Sequence, residues 1–224
     1  MSIFIIKIIA CVTMCLDHIK YAIPETRSFI TIYFGRISFL LFAFLVGEGY
    51  CHTSNLKKYY KRLIIFACIS QIPFMLFRTL VGEWRMLNIL CTLLLGLIAI
   101  TVFDKLDKKY YISLPVVGLI IWLGNILRVD YGWFGVAGVF LLYLLRNKKF
   151  LRLFGVAVLN FVYYFDRLFS YDFKSSFISY LFTTLPAVIL LAYNGKLGKK
   201  TKYIYYIFYP VHMIILYVIS LLRI

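Results

Sequence analysis

The chain reads as long apolar runs separated by short polar stretches rich in cations. Nine runs approach or reach the length of a membrane-crossing helix, which takes about 20 apolar residues. They cover residues 3–22, 29–50, 63–80, 86–103, 110–127, 131–145, 150–165, 176–193 and 203–222. The sixth and seventh are short and are expected to tilt or pair imperfectly. No linker, extramembrane domain or internal repeat interrupts the pattern, so residues 1–224 are expected to form one transmembrane domain. The first run is apolar from Ile3 and lacks a small-residue cleavage site. It reads as a retained span rather than a signal peptide. The pattern predicts an all-α polytopic membrane protein, because a backbone in lipid must satisfy its own hydrogen bonds.

Composition narrows the class further. Of 224 residues, 63% are hydrophobic, 19% aromatic and 15% charged. A soluble domain carries about a quarter charged residues, and it could not hide this much apolar surface in one core. A soluble cytoplasmic enzyme, a disordered chain, a repeat solenoid and a secreted disulfide scaffold are excluded. The five cysteines at 11, 15, 51, 68 and 91 form no CxxC pair and fall mostly in apolar runs. They are expected to be small buried hydrophobes.

Charge then sets an orientation. There are 25 Lys and Arg against 9 Asp and Glu, a formal +16. The cations cluster between apolar runs, not as one patch on a soluble face, so nucleic acid is not an expected partner. The loops after runs 2, 4, 6 and 8 hold 15 of them: Lys57, Lys58, Lys61 and Arg62; Lys105, Lys108 and Lys109; Arg146, Lys148, Lys149 and Arg152; Lys196, Lys199, Lys200 and Lys202. The other four loops hold 7: Lys20, Arg27, Arg78, Arg85, Arg128, Arg167 and Lys174. The positive-inside rule places the first set in the cytoplasm. The N-terminus is then cytoplasmic and the C-terminus outside, as nine spans require.

Ionisable groups inside an apolar run cost a few kcal/mol, so each is a functional candidate. Run 1 carries Lys7, Asp17 and His18; run 2 carries Arg36 and Glu48; run 9 carries His212. Lys7 and His18 are 11 residues apart, three helical turns, and share a face about 16 Å apart along the axis. Such a stripe suits an elongated anionic cofactor at one end and a proton acceptor at the other; alternatively His18 packs near an interface and Lys7 snorkels. Arg36 and Glu48 share a face but lie about 18 Å apart, so each needs another partner. Asp17 suits Arg36, either as a structural ion pair or as part of a site. Gly35, Gly47 and Gly49 allow close helix or ligand approach.

Residues 48–62 read EGYCHTSNLKKYYKR. This basic, aromatic and hydroxyl-rich turn includes Glu48, His52, Lys57, Lys58, Lys61 and Arg62. It suits a phosphorylated nucleotide carrier or anionic lipid headgroups. In run 9 the sequence FYPVH puts Pro210, which frees a carbonyl and kinks a helix, two residues before a mid-span His212. That histidine reads as lining a cavity, or as a satisfied packing residue. No HExxH, Cys/His zinc spacing, GxSxG or P-loop occurs, so no metal is expected.

Several stretches carry a resemblance: MCLDHI (14–19), FGRISFLLFAFLVGEGYCHT (34–53), KKYYKRLIIFACISQIPF (57–74), LNILCTLLLGL (87–97), DYGWFGVAGVFLLY (130–143) and IFYPVHMIILYVI (207–219). With them the chain resembles the TraX family of bacterial inner-membrane proteins, known for N-terminal acetylation of conjugative pilin. That family in turn looks like a branch of the membrane acyltransferases, which include the acyltransferase-3 and lysosomal heparan N-acetyltransferase types. Acyltransferase-3 proteins carry a basic residue and a histidine separated by ten residues on their first span, as Lys7 and His18 are here. The resemblance implies that His18 is the catalytic histidine of a multi-pass inner-membrane acetyltransferase.

On that reading acetyl-CoA docks from the cytoplasm against Lys57, Lys58, Lys61 and Arg62, with Lys7, Glu48 and His52 also placed at the cofactor. The thioester reaches a membrane-embedded tunnel near His18, Asp17, Arg36 and His212. His18 is the expected general base toward an acceptor amine, with an exported peptide or pilin as partner. Asp17 raises its basicity or holds the acceptor ammonium, and Arg36 or His212 stabilises the oxyanion. Transfer through an acetyl-histidine remains open. The alternatives are O-acetylation of an envelope glycan and a non-enzymatic carrier or flippase.

Overall fold

The computed structural model describes residues 1–106, 109–169, 172–199 and 203–223. The loop cations Lys108, Lys200 and Lys202 lie outside the described residues. The helices are α1 (Ile3–Ala22), α2 (Phe29–Tyr33), α3 (Ile37–His52), α4 (Leu56–Thr79), α5 (Ile89–Lys105), α6 (Tyr110–Ile126), α7 (Gly132–Leu144), α8 (Lys149–Leu168), α9 (Phe173–Ile189) and α10 (Ile204–Leu222). A 3-10 turn over Phe34–Arg36 joins α2 to α3, so these form one bent run. Among the described residues no strand forms beyond an isolated bridge between Leu87 and Val129. Among the described residues four runs are long and apolar enough to cross a membrane: Phe29–His52, Leu56–Thr79, Phe173–Ala192 and Ile204–Leu222.

Two compact units divide the chain: Met1–Phe42 with Asn147–Ile224, and Ala43–Arg146. In the first unit α1 packs on the 3-10 turn and on α10, and α8 packs on α9. Lys7 meets Tyr205, His18 meets His212, and Glu25 just past α1 meets Arg223 just past α10. The numbers rise together, so α1 and α10 run parallel. The start of α1 is tied down by the segment before α10: Ile3 and Phe4 N–H groups donate to the Lys196 and Leu197 carbonyls at 2.9 and 3.2 Å.

The α8–α9 pair shows how the chain meets its surroundings. The buried face of α8 is a stripe at every fourth residue: Arg152, Val156, Asn160, Tyr164 and Leu168. Arg152 donates to the Leu190 carbonyl at 2.8 Å, Asn160 to Thr184 at 2.9 Å, and Tyr164 pairs with Thr183 at 3.1 Å. Phe150, Phe154, Phe161 and Phe165 face outward, Phe150 at 81% exposure while Asn160 has none. A helix that buries amides and exposes phenylalanines is built for an apolar surround.

In the second unit α5 packs against α4, α6 and α7. Close approach needs Gly96, where a Cβ would fall 2.5 Å from Val139. Gly124 of α6 likewise abuts the Gly132 carbonyl.

The structure corrects several expectations. The basic stretch is not an extended turn. α3 continues to His52 and α4 begins at Leu56, because the Asn55 side chain caps α4 by accepting from the Lys58 N–H at 2.9 Å. Lys57, Lys58, Lys61 and Arg62 therefore ride on the first two turns of a helix. Arg152, counted as a loop cation, is 1% exposed inside α8, because the Leu190 carbonyl at the end of α9 accepts from it. The seventh run is not short: α8 holds 20 residues. Cys51 and Cys68 are exposed, not buried; on the outer faces of their helices a small apolar thiol needs no core.

Candidate functional site

The first unit gathers five sequence candidates, Lys7, Asp17, His18, Arg36 and His212. Lys7 and His18 share a face of α1, as three turns dictate, and both look onto α10. The Lys7 ammonium lies 5.0 Å from the centre of the Tyr205 ring. His18 Nδ1 lies 2.8 Å from His212 Nε2. The imidazoles are 18° from parallel with centroids 5.1 Å apart, as an end-to-end hydrogen bond between ring edges requires.

The partners of His212 decide the tautomers. Its Nδ1 lies 2.9 Å from the Phe208 carbonyl one turn earlier. A carbonyl only accepts, so Nδ1 carries the hydrogen and Nε2 of the neutral ring accepts. His18 must then donate from Nδ1, and the lone pair of that ring resides on Nε2. Phe208 stacks on His212 at 5.0 Å and Tyr209 leans on it at 5.8 Å, which keeps this ring from rotating away. His212 is 6% exposed, and His18 is half-buried. α10 runs through Pro210 without interruption.

Asp17 points elsewhere, as adjacent helical residues must. The structure gives it an ion pair with Lys20, Nζ to Oδ1 2.6 Å, and Lys20 also donates to the Thr31 carbonyl at 3.4 Å. Lys20 is buried, not a loop cation. Sequence reasoning missed this partner, although a separation of three on one helix announces it. Gly35 sits against Asp17, where a Cβ would come 2.5 Å from the Asp17 Cβ. Half-buried Arg36 follows directly, and its charge reaches Lys20.

The second unit holds Glu48, His52, Lys57, Lys58, Lys61 and Arg62. Glu48 is buried, and its carboxylate lies 3.7 Å from the exposed His52 one turn on, whose Nδ1 also meets the Glu48 carbonyl at 2.8 Å. Lys57, Lys58 and Lys61 are exposed. The Arg62 guanidinium lies 5.4 Å over the Tyr59 ring, and Tyr59 fills the gap left by Gly49. Sequence reasoning did not find the neighbouring carboxylate, Asp104. It accepts from the Tyr143 hydroxyl at 2.6 Å and also engages Tyr50. Arg146 lies 4.3 Å over the Tyr143 ring. These residues close one end of α3, α5 and α7, and no local spacing signals their meeting.

Apolar helices, several of them long enough to cross a membrane, that bury polar residues such as Asn160 while exposing many large hydrophobic side chains define an α-helical membrane protein. The family model described as TraX protein matches residues 2–220, so the chain belongs to the TraX family. It is also 27% identical over 239 residues to a protein of Dichelobacter nodosus named probable fimbrial assembly protein FimC, serogroup H1, covering 96% of this chain and 94% of that relative. No solved structure matches.

Proposed function

We propose that this protein is an inner-membrane acetyltransferase that moves acetyl from acetyl-CoA to an amine, with the N-terminus of an exported pilin-type peptide as acceptor. TraX membership and a relative named for fimbrial assembly support the context. The reading includes nine spans with the N-terminus cytoplasmic. The parallel course of α1 and α10 supports it, since first and last spans run parallel only when their number is odd.

The observation that carries the chemistry is the His18–His212 pair. With His212 accepting from Nδ1, His18 presents Nε2 as a base. An α-amine has a pKa of about 8 and must lose a proton to attack. The amine nitrogen bonds the acetyl carbon, its proton passes to His18, and the carbon–sulfur bond breaks. The departing thiolate takes up the proton. Both ring nitrogens of His212 are engaged, so it orients His18 and stabilises the imidazolium. That leaves Arg36 as the candidate to balance the oxyanion. Acetyl-CoA would bring its phosphates to Lys57, Lys58, Lys61 and Arg62. These residues fit that load: Lys57 with Lys61, and Lys58 with Arg62, each lie one turn apart at the positive end of α4.

Acetyl-CoA binding to the purified protein in detergent tests this reading. Saturable binding is expected to survive His18→Ala and to weaken about tenfold or more when Lys57, Lys58 and Lys61 become Gln, the loss of one charge-assisted contact or more. A folded wild-type protein that does not bind acetyl-CoA would overturn it.

A further inference from the structure

The far end of α4, one helix length from the lysine cluster, carries a cleft of about 390 Å³ lined by Gly82, Glu83, Trp84, Arg85, Met86 and Arg128. Its two walls come from different loops. One leads from α4 to α5, the other from α6 to α7. A backbone bridge locks them together: the Leu87 N–H donates to the Arg128 carbonyl at 3.0 Å, and the Asp130 N–H to the Leu87 carbonyl at 2.9 Å. Gln71 braces the first loop, donating to the Met86 carbonyl at 2.8 Å and accepting from the Asn88 N–H at 3.0 Å. Gly82 turns at φ +74°, and Arg128 itself sits at φ +50°, a region that non-glycine residues seldom enter.

Cations outnumber carboxylates in this frame, Arg78, Arg85 and Arg128 against Glu83 and Asp130. Glu83 is ion-paired with Arg78. The Arg85 guanidinium lies 4.9 Å over the Trp84 ring. Among the described residues no carboxylate pairs with Arg85 or Arg128. Two exposed cations carried into one small cleft by hydrogen-bonded backbone, with an indole in its lining, suit an anion.

We propose that this cleft binds a glycerophosphate group, either free or as the headgroup of an anionic phospholipid. A phosphate offers enough oxygens for two separate guanidinium forks, whereas a carboxylate is filled by one. The volume suits a ligand of that size, near the lower end of the roughly 300–1,000 Å³ usual for pockets. Trp84 and the Met86 side chain supply an apolar face for the glycerol carbons. The site is independent of the acetyl-transfer reading, and either stands without the other.

Trp84 is one of three tryptophans, and the other two, Trp122 and Trp133, lie outside the cleft. The full chain carrying Trp122→Phe and Trp133→Phe therefore reports on the site by fluorescence. It is titrated in neutral detergent with glycerol 1-phosphate, with short-chain phosphatidylglycerol, and with a diacylglycerol of the same chains that lacks phosphate. A saturable change with either phosphate probe is expected, weakened at least tenfold by Arg85→Gln or Arg128→Gln and unaffected by Lys57→Gln. Saturation by glycerol 1-phosphate identifies a soluble ligand; saturation by phosphatidylglycerol alone identifies a lipid headgroup. No saturation with either probe, an equal response to the phosphate-free lipid, or full binding by the Arg85→Gln/Arg128→Gln double variant would overturn the proposal.

Discussion

His18 Nδ1 and His212 Nε2 meet at 2.8 Å although 194 positions separate them in the chain. The Phe208 carbonyl fixes one end of this relay, and the order of hydrogens along it follows. The neutral His18 ring thereby keeps its lone pair on one defined nitrogen, Nε2, while both nitrogens of His212 are engaged; under the proposed acetyl transfer His18 is the base and His212 its positioning partner.

That division of labour predicts unequal losses. His18→Ala is expected to keep the protein folded and lower acetyl transfer by roughly 10²- to 10⁴-fold, the usual worth of a positioned base. His212→Ala is expected to cost less, and His212→Gln to recover part of it, because an amide oxygen can accept from His18 where Nε2 does. Transfer rates from labelled acetyl-CoA check both. Full activity in His18→Ala would remove the mechanism.

The Asp17–Lys20 pair predicts an asymmetric stability effect. Lys20→Met leaves a carboxylate in a mostly buried site, an expected cost of about 3–5 kcal/mol. Pairing it with Asp17→Asn removes the stranded charge and should restore most of the loss. Thermal unfolding in detergent of the two single variants and the double variant measures this. An additive double variant would show that the pair is not energetically coupled.

Gly35→Ala forces a methyl group to within 2.5 Å of the Asp17 Cβ and 2.6 Å of its backbone Cα. Backbone cannot swing aside as a flexible side chain can. The expected destabilisation is about 1–3 kcal/mol, seen as a lower unfolding midpoint. Gly118→Ala is the control, since nothing lies within 4 Å of its added carbon.

Arg152→Met should destabilise the first unit by about 1–3 kcal/mol, because the Leu190 carbonyl loses a charged donor inside the α8–α9 seam. Thermal unfolding checks it, and an unchanged midpoint would mean the carbonyl finds another donor.

Much of this was legible in the residues and some was not. The helical runs, the shared face of Lys7 and His18, and the close approaches at Gly35 and Gly49 follow from 3.6-residue periodicity and the size of a hydrogen side chain. Lys20 was readable as the partner of Asp17 by the same rule. It was passed over because a cation near the end of an apolar run looks like a loop residue. The Asn55 cap, which turns a basic turn into a basic helix, was also local. The meeting of Tyr143 with Asp104, and the placing of Arg85 and Arg128 on one cleft, were not: each involves helix or loop ends that no short spacing connects.

Sequence alone determined that the chain is a helical membrane protein with TraX motifs, since length, hydropathy and periodicity are local properties that lipid enforces on every run. Tertiary structure decided which polar faces meet. A lone histidine or cation in an apolar helix demands a partner, but its own helix does not say on which neighbour that partner rides. Packing selected α10 for His18, and a backbone bridge at Leu87 set the loops of Arg85 and Arg128 side by side, because those choices depend on how the helices fit and not on any one of them.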